Sequence, residues 1–176
     1  MVSTKKVQIF MRQIEFCGHI LQDGCRVPAP GKLMAIQKWE RPSTITALRG
    51  FLGLANYYSC YVPLYAQRAA PLMGLLCVGK REGRKGSKKP LSWGPEEIKA
   101  FKQLKVALSE GFKVFNLDLD RPFRLRTDAS RYACGAVLEQ ERLGVWVPIA
   151  FHSRKLTQSQ RNWTPREQET YATLWH

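Results

Sequence analysis

A chain of 176 residues with 44% hydrophobic content has room for one domain or two small ones, and is too apolar to be a disordered tail. Its 28 lysines and arginines against 14 acids give a net charge of +14, which favours a polyanionic partner, nucleic acid first. Five cysteines without Cys-x-x-Cys spacing argue against a disulfide framework and a zinc site, and the lack of a membrane-length apolar run or a signal-peptide core at Met1 to Lys6 leads to the expectation of a soluble intracellular protein with buried free thiols, its compartment open.

Val7 to Leu21 reads as two short strands, with Val7, Ile9, Ile14 and Phe16 alternating with polar residues and Asp23-Gly24 as a turn. Pro28 and Pro30 break the chain. Lys32 to Trp39 follows as a short helix with Leu33, Ile36 and Trp39 at spacing three. A second helix starts at Pro42-Ser43-Thr44, capped by Ser43 or Thr44, and its apolar face carries Leu48, Phe51, Leu52, Ala55 and Tyr58. Ala66 to Cys77 makes a third helix that Pro71 bends or breaks. Three such helices can form a small bundle.

Gly79 to Pro90 gathers Lys80, Arg81, Arg84, Lys85, Lys88 and Lys89 around glycines, as an exposed basic loop. It serves either to touch phosphates or only as a solvated linker. Gly94-Pro95-Glu96-Glu97 opens the next helix, with Ile98, Phe101, Leu104 and Leu108 on its buried face and an end near Gly111. From Lys113 the period becomes two. Phe123 to Thr127, Ala133 to Leu138 and Val145 to Phe151 are strands, with a turn at Glu141 to Gly144. Thr164-Pro165 starts a last helix bearing Glu167 and Glu169. A carboxylate ending a strand at Asp128 and another on the following helix is how a two-metal nuclease site begins. The aromatics Trp39, Tyr57, Tyr58, Trp93 and Phe101 are expected in the core rather than stacked on bases, and His19, His152 and His176 do not cluster into a metal site.

Five stretches occur in the order and spacing of one family: Leu48 to Tyr58, Trp93 with Ala100 to Lys105, Thr127 to Ser130, Gly135 to Gln140, and Pro148 to Leu156. On these the chain resembles the Pol polyprotein of gypsy-type LTR retrotransposons, a reverse transcriptase joined to a ribonuclease H. The resemblance implies an α+β fold: a β-hairpin, a small helical thumb bundle, then a truncated ribonuclease H-like mixed β-sheet with a helix. It implies the end of the palm over 1–27, with Gly18 and His19 in the hairpin that holds the primer terminus. It further implies a thumb over 28–78, a basic linker over 79–92, a connecting helix over 93–112 and a partial ribonuclease H over 113–176. Asp128 matches the family's first metal-binding aspartate and Glu169 its helix glutamate, with Mg²⁺ or Mn²⁺ as the expected ion. Glu167, two residues away, faces elsewhere on the helix. The nucleic-acid contacts it implies are Gly18, His19 and the basic linker.

The resemblance also marks departures. The double tyrosine is followed by Ser59-Cys60 where the family often has arginine, and Asn162-Trp163 stands where Asn-Tyr is usual. No Asp-Asp pair occurs, and the family's polymerase active site precedes the region matched; two later ribonuclease H aspartates follow it. The expected function is therefore binding of an RNA–DNA hybrid, with RNA copying and RNA-strand hydrolysis in the complete protein. The alternatives are a catalytically inactive basic component of a larger assembly, which would complete an open sheet edge, or an inert remnant.

Overall fold

The protein is seen in a computed structural model that describes residues 11–81, 91–110 and 113–175. The expected strand at Val7 and Ile9 lies outside these residues. Strands β1 (Gln13–Phe16), β2 (His19–Gln22) and β3 (Cys25–Pro28) form an antiparallel meander. Its two turns, Cys17-Gly18 and Asp23-Gly24, hold both central residues at positive φ, the twist that two-residue hairpin turns require. Helix α1 (Pro30–Lys38) begins on a proline whose missing N–H costs nothing at a first turn, and it buries Ile36.

Thr44 is the cap of α2 (Ile45–Tyr57), its hydroxyl accepting from the Ala47 N–H at 3.2 Å. The expected face is the buried one: Leu48, Phe51, Leu52 and Ala55 are buried, and Tyr58 is buried just past the helix end. A 3-10 turn at Ser59–Tyr61 leads to α3 (Tyr65–Arg81). Pro71 does not end α3, and Lys80 and Arg81, read as loop, belong to its last turn. Arg84, Lys85, Lys88 and Lys89 lie outside the described residues. Helix α4 (Pro95–Ser109) buries Ala100, Phe101, Leu104 and Leu108 against the other three. Trp39, Trp93 and Phe101 take the core positions expected of them, with Trp93 Nε1 donating to the Pro42 carbonyl at 2.9 Å.

Strand β4 (Val114–Phe115) leaves the C-terminal region to pair with β3, Cys25 opposite Phe115 and Arg26 opposite Val114. The reason is local: Val114 is fully buried in the bundle core, and the Asn116 N–H bonds the Gly24 carbonyl. Strands β5 (Phe123–Ala129), β6 (Ala133–Arg142) and β7 (Val145–Lys155) form a second sheet in the order β5-β6-β7. The α+β class holds. The sheet, expected to be mixed, is antiparallel throughout its described strands, since short turns join all three. Helix α5 (Pro165–Trp175) covers one face, burying Ala172 against Cys134 and Leu156. The other face meets the bundle, where Phe151 packs on the helical core and Ser153 Oγ accepts from the Ala66 N–H at 2.9 Å. That bond serves an orphan amide in the first turn of α3, whose own preceding residue, Leu64, has no capping oxygen.

Of the thiols expected to be buried, Cys25 and Cys134 are; Cys60 is half-buried, and Cys17 and Cys77 are exposed because a turn tip and a helix surface carry them. No described helix is long and apolar enough to cross a membrane.

Candidate nucleic-acid and metal interface

The two carboxylates singled out in sequence reach the same strand end. Alternation along β5 sets Thr127 and Ala129 toward α5, where the Thr127 and Thr173 hydroxyls lie 3.4 Å apart and Ala129 packs beside the Ala172 cluster. Asp128 therefore faces the other side. It is exposed, and among the described residues its carboxylate has no hydrogen-bond or ion-pair partner. Glu169 approaches from α5, its Oε1 accepting the Ala129 N–H at 3.3 Å. The Ala129 amide thus ties the helix glutamate to the residue that follows the strand aspartate.

Glu167 has a different task. Its Oε2 accepts the Thr164 N–H at 2.7 Å and the Thr164 hydroxyl at 2.8 Å, while its own N–H reaches Thr164 Oγ1 at 3.4 Å. This reciprocal capping box opens α5. The Thr164 backbone bond, then the hydroxyl bond, hold the Glu167 carboxyl below its usual range. Glu169 sits two residues later, turned by the helical pitch toward β5.

Across from Asp128 in the register stands Gly135. A Cβ at Gly135 would lie 2.6 Å from Leu64 Cδ2, so the missing side chain makes room for the bundle. A recess of about 170 Å³ remains there, lined by Leu64, Arg126, Asp128, Gly135 and Phe151 among others. Further along the same face Arg124 pairs with Glu139 at 2.8 Å and lies 4.2 Å over the Trp146 ring. Arg126 is 3.8 Å from Glu139 and largely exposed. These cations lie on the bundle-facing side of the sheet where it extends past the bundle, and such exposed pairs contribute little stability. Among the described residues no group of three or more histidines, cysteines or acids is placed to hold a metal ion.

The second locus is the β1–β2 hairpin, and sequence reading missed how it is held. Tyr57 donates to the Cys17 carbonyl and Tyr58 to the Gly18 carbonyl at 3.0 Å. Tyr61 Oη lies 2.8 Å from His19 Nδ1. The Gly18 carbonyl also accepts the Ala29 N–H at 2.9 Å. His19 stacks on Tyr57 at 5.1 Å and meets Tyr58 edge-on at 5.5 Å. Burial, with the Arg26 cation second, lowers the His19 pKa from 6.5. Burial raises the pKa of Tyr58 and of Tyr61. Gly18 is required twice over: φ is +77°, and a Cβ would sit 2.7 Å from Tyr58 Oη. Tyr57, assigned to the core by its helical spacing, is half exposed instead. The available signal was three hydroxyl-bearing rings at i, i+1 and i+4 where phenylalanines would fill a core as well.

Residues 93–176 match the family described as an RNase H-like domain found in reverse transcriptase. Over 99% of its length the chain is 33% identical to the retrovirus-related Pol polyproteins from the transposons opus and gypsy of Drosophila melanogaster. It is 31% identical over 97% of its length to that from transposon 412 of the same organism. The chain spans 18%, 17% and 13% of these relatives, respectively. Among solved structures, foamy viral protease-reverse transcriptase in complex with an RNA/DNA hybrid matches 97% of the chain and 22% of its own length, with a TM-score of 0.78 and 22% identity. The dRH form of the foamy viral protein, in complex with double-stranded DNA, matches 92% of the chain and 27% of its own length, with a TM-score of 0.76 and 21% identity. At these identities the structural likeness establishes the fold.

Proposed function

The chain is homologous along its length to the Pol polyproteins of gypsy-type LTR retrotransposons, and on that premise we propose that it grips an RNA–DNA hybrid for a reverse transcriptase–ribonuclease H. The observation that carries this reading is that Glu169 is tied by the Ala129 amide to the strand end that bears Asp128, on a chain of net charge +14. Residues 1–27 serve as the end of a palm, 28–78 as a thumb along the duplex and 79–92 as a basic linker. Residues 93–112 connect to a ribonuclease H part over 113–176. In the longer polyprotein the assembly copies RNA into DNA and hydrolyses the RNA strand.

Gly18 and His19 present the hairpin to the primer terminus. Lys80, Arg81, Arg84, Lys85, Lys88 and Lys89 meet phosphates without reading bases. Asp128 and Glu169 are the ligands for Mg²⁺ or Mn²⁺. The donor set suits such ions: both groups are hard oxygen donors, Asp128 has no protein partner among the described residues, and Glu169 has one oxygen on Ala129 and the other to spare. Two divalent ions held there would activate water and stabilise the leaving oxygen, one ion for each. The protein's part is to hold Glu169 by the Ala129 amide and to leave the Asp128 carboxylate without an ion-pair partner among the described residues.

A second reading, a nucleic-acid-binding component that does not cut, is favoured by the absence of a third acidic or imidazole ligand near the pair among the described residues. In that reading a protein partner completes the outer edge of β5, where Phe123 and Leu125 are exposed.

The first reading requires binding to the hybrid, which fluorescence anisotropy of a labelled RNA–DNA duplex measures. Binding is expected to weaken linearly in log Kd against log salt, with a slope of about 0.9 for each phosphate neutralised. A folded chain that leaves the hybrid free at low salt would contradict the proposal.

A further inference from the structure

Three successive hairpin residues are each engaged by a different tyrosine from one helix end. Tyr57 serves Cys17, Tyr58 serves Gly18 and Tyr61 serves His19. The partners are 40 residues or more apart in sequence, so the contacts fix the hairpin relative to the helical bundle rather than merely closing a local turn. Tyr58 and Tyr61 are almost wholly buried. A buried hydroxyl is costly without a partner, and each finds its partner in the hairpin. Tyr65, also buried, provides an internal contrast, because its hydroxyl donates to the Leu52 carbonyl inside the bundle at 3.4 Å.

We propose that Tyr57, Tyr58 and Tyr61 are positioning residues that set the pose in which the Cys17–His19 turn meets nucleic acid. The inference rests on the reading of Gly18 and His19 as hybrid contacts. The turn carbonyls point back to the tyrosines, so the turn's outward side is what a ligand meets. The Tyr57 ring, half exposed and stacked on His19, orients the imidazole as well. The outer strand β1 is only four residues long and pairs on one side alone, so the turn that joins it to β2 has little rigidity of its own. Fixing it before binding spares the ordering cost that a loose hairpin would carry into the complex.

The test replaces the hydroxyls and keeps the rings. Tyr57→Phe, Tyr58→Phe and Tyr61→Phe are combined, with Tyr65→Phe as control and His19→Ala as probe of the contact itself. The triple variant is expected to bind the RNA–DNA hybrid about fivefold or more weakly, about what losing one net hydrogen bond's worth of order gives. Its slope of log Kd against log salt stays that of the wild type, because the hydroxyls touch protein and not phosphate. Amide exchange at Gly18 to Ile20 accelerates, while Tyr65→Phe changes neither affinity nor exchange there. If His19→Ala weakens binding and the triple variant binds within about twofold of wild type, the positioning role is wrong and the hairpin contact stands. If neither change affects binding, the hairpin contact itself is wrong and the inference falls with it. Should the triple variant not fold, Tyr57→Phe, at a half-exposed ring, carries the same test.

Discussion

Asp128→Asn is expected to weaken Mn²⁺ binding by the chain about tenfold or more, with no measurable loss of stability. Tenfold is about 1.4 kcal/mol, a modest demand on a change that removes one of two anionic ligands from a divalent ion. The substitution keeps shape and removes charge. It breaks no protein contact, since the carboxylate of Asp128 has no partner among the described residues, and an exposed isosteric change ordinarily stays within about 0.5 kcal/mol. Glu169→Gln should weaken Mn²⁺ comparably while its amide oxygen still accepts the Ala129 N–H. Glu167→Gln is the control. Its carboxylate is committed to Thr164 at the helix start, so it should leave Mn²⁺ affinity unchanged. Electron paramagnetic resonance of free Mn²⁺ in a titration measures all three. Equal affinities for wild type and Asp128→Asn would remove Asp128 from the metal site.

The largest effect on stability is expected at Phe51. Phe51→Ala should destabilise the chain by about 3–5 kcal/mol, against a typical total of about 5–15 kcal/mol for a domain. Phe51 is fully buried where three elements meet: its ring lies 4.8 Å from Phe101 of α4 and 6.0 Å from Trp39 at the end of α1. Removing it leaves a cavity walled by rings that cannot collapse inward without moving helices. Urea denaturation followed by tryptophan fluorescence reads the loss, since Trp39 and Trp93 both border this cluster. A change under about 1 kcal/mol would mean that the aromatic cluster is not the stabilising centre of the bundle.

Local signals in the sequence sufficed for the elements with caps and period. Thr44 before an apolar stripe announced α2, and Thr164-Pro165 announced α5. The carboxylate pair came from the resemblance, and the separate facing of Glu167 and Glu169 followed from helical pitch. What escaped was tertiary. Val114 and Phe115 look like the start of the C-terminal region, yet burial of Val114 in the bundle draws them to β3. Ser153 gives no local hint that it completes the first turn of α3, 87 residues earlier. Tyr58 and Tyr61 satisfy the periodicity of a core, but periodicity carries no information about where a hydroxyl points. Pro71 locally signals a bend or a break, yet α3 runs through it, because packing on two sides outweighs one missing backbone bond.

In the proposed function one ligand spans two separated parts of the chain, the hairpin at Cys17 to His19 and the strand end at Asp128 with Glu169. Amide hydrogen exchange with and without a saturating RNA–DNA hybrid examines both at once. Slowed exchange is predicted at Gly18 to Ile20 and at Ala129 to Arg131, with the amides of the buried α2 face unchanged. A hybrid that binds yet protects neither segment would contradict the account.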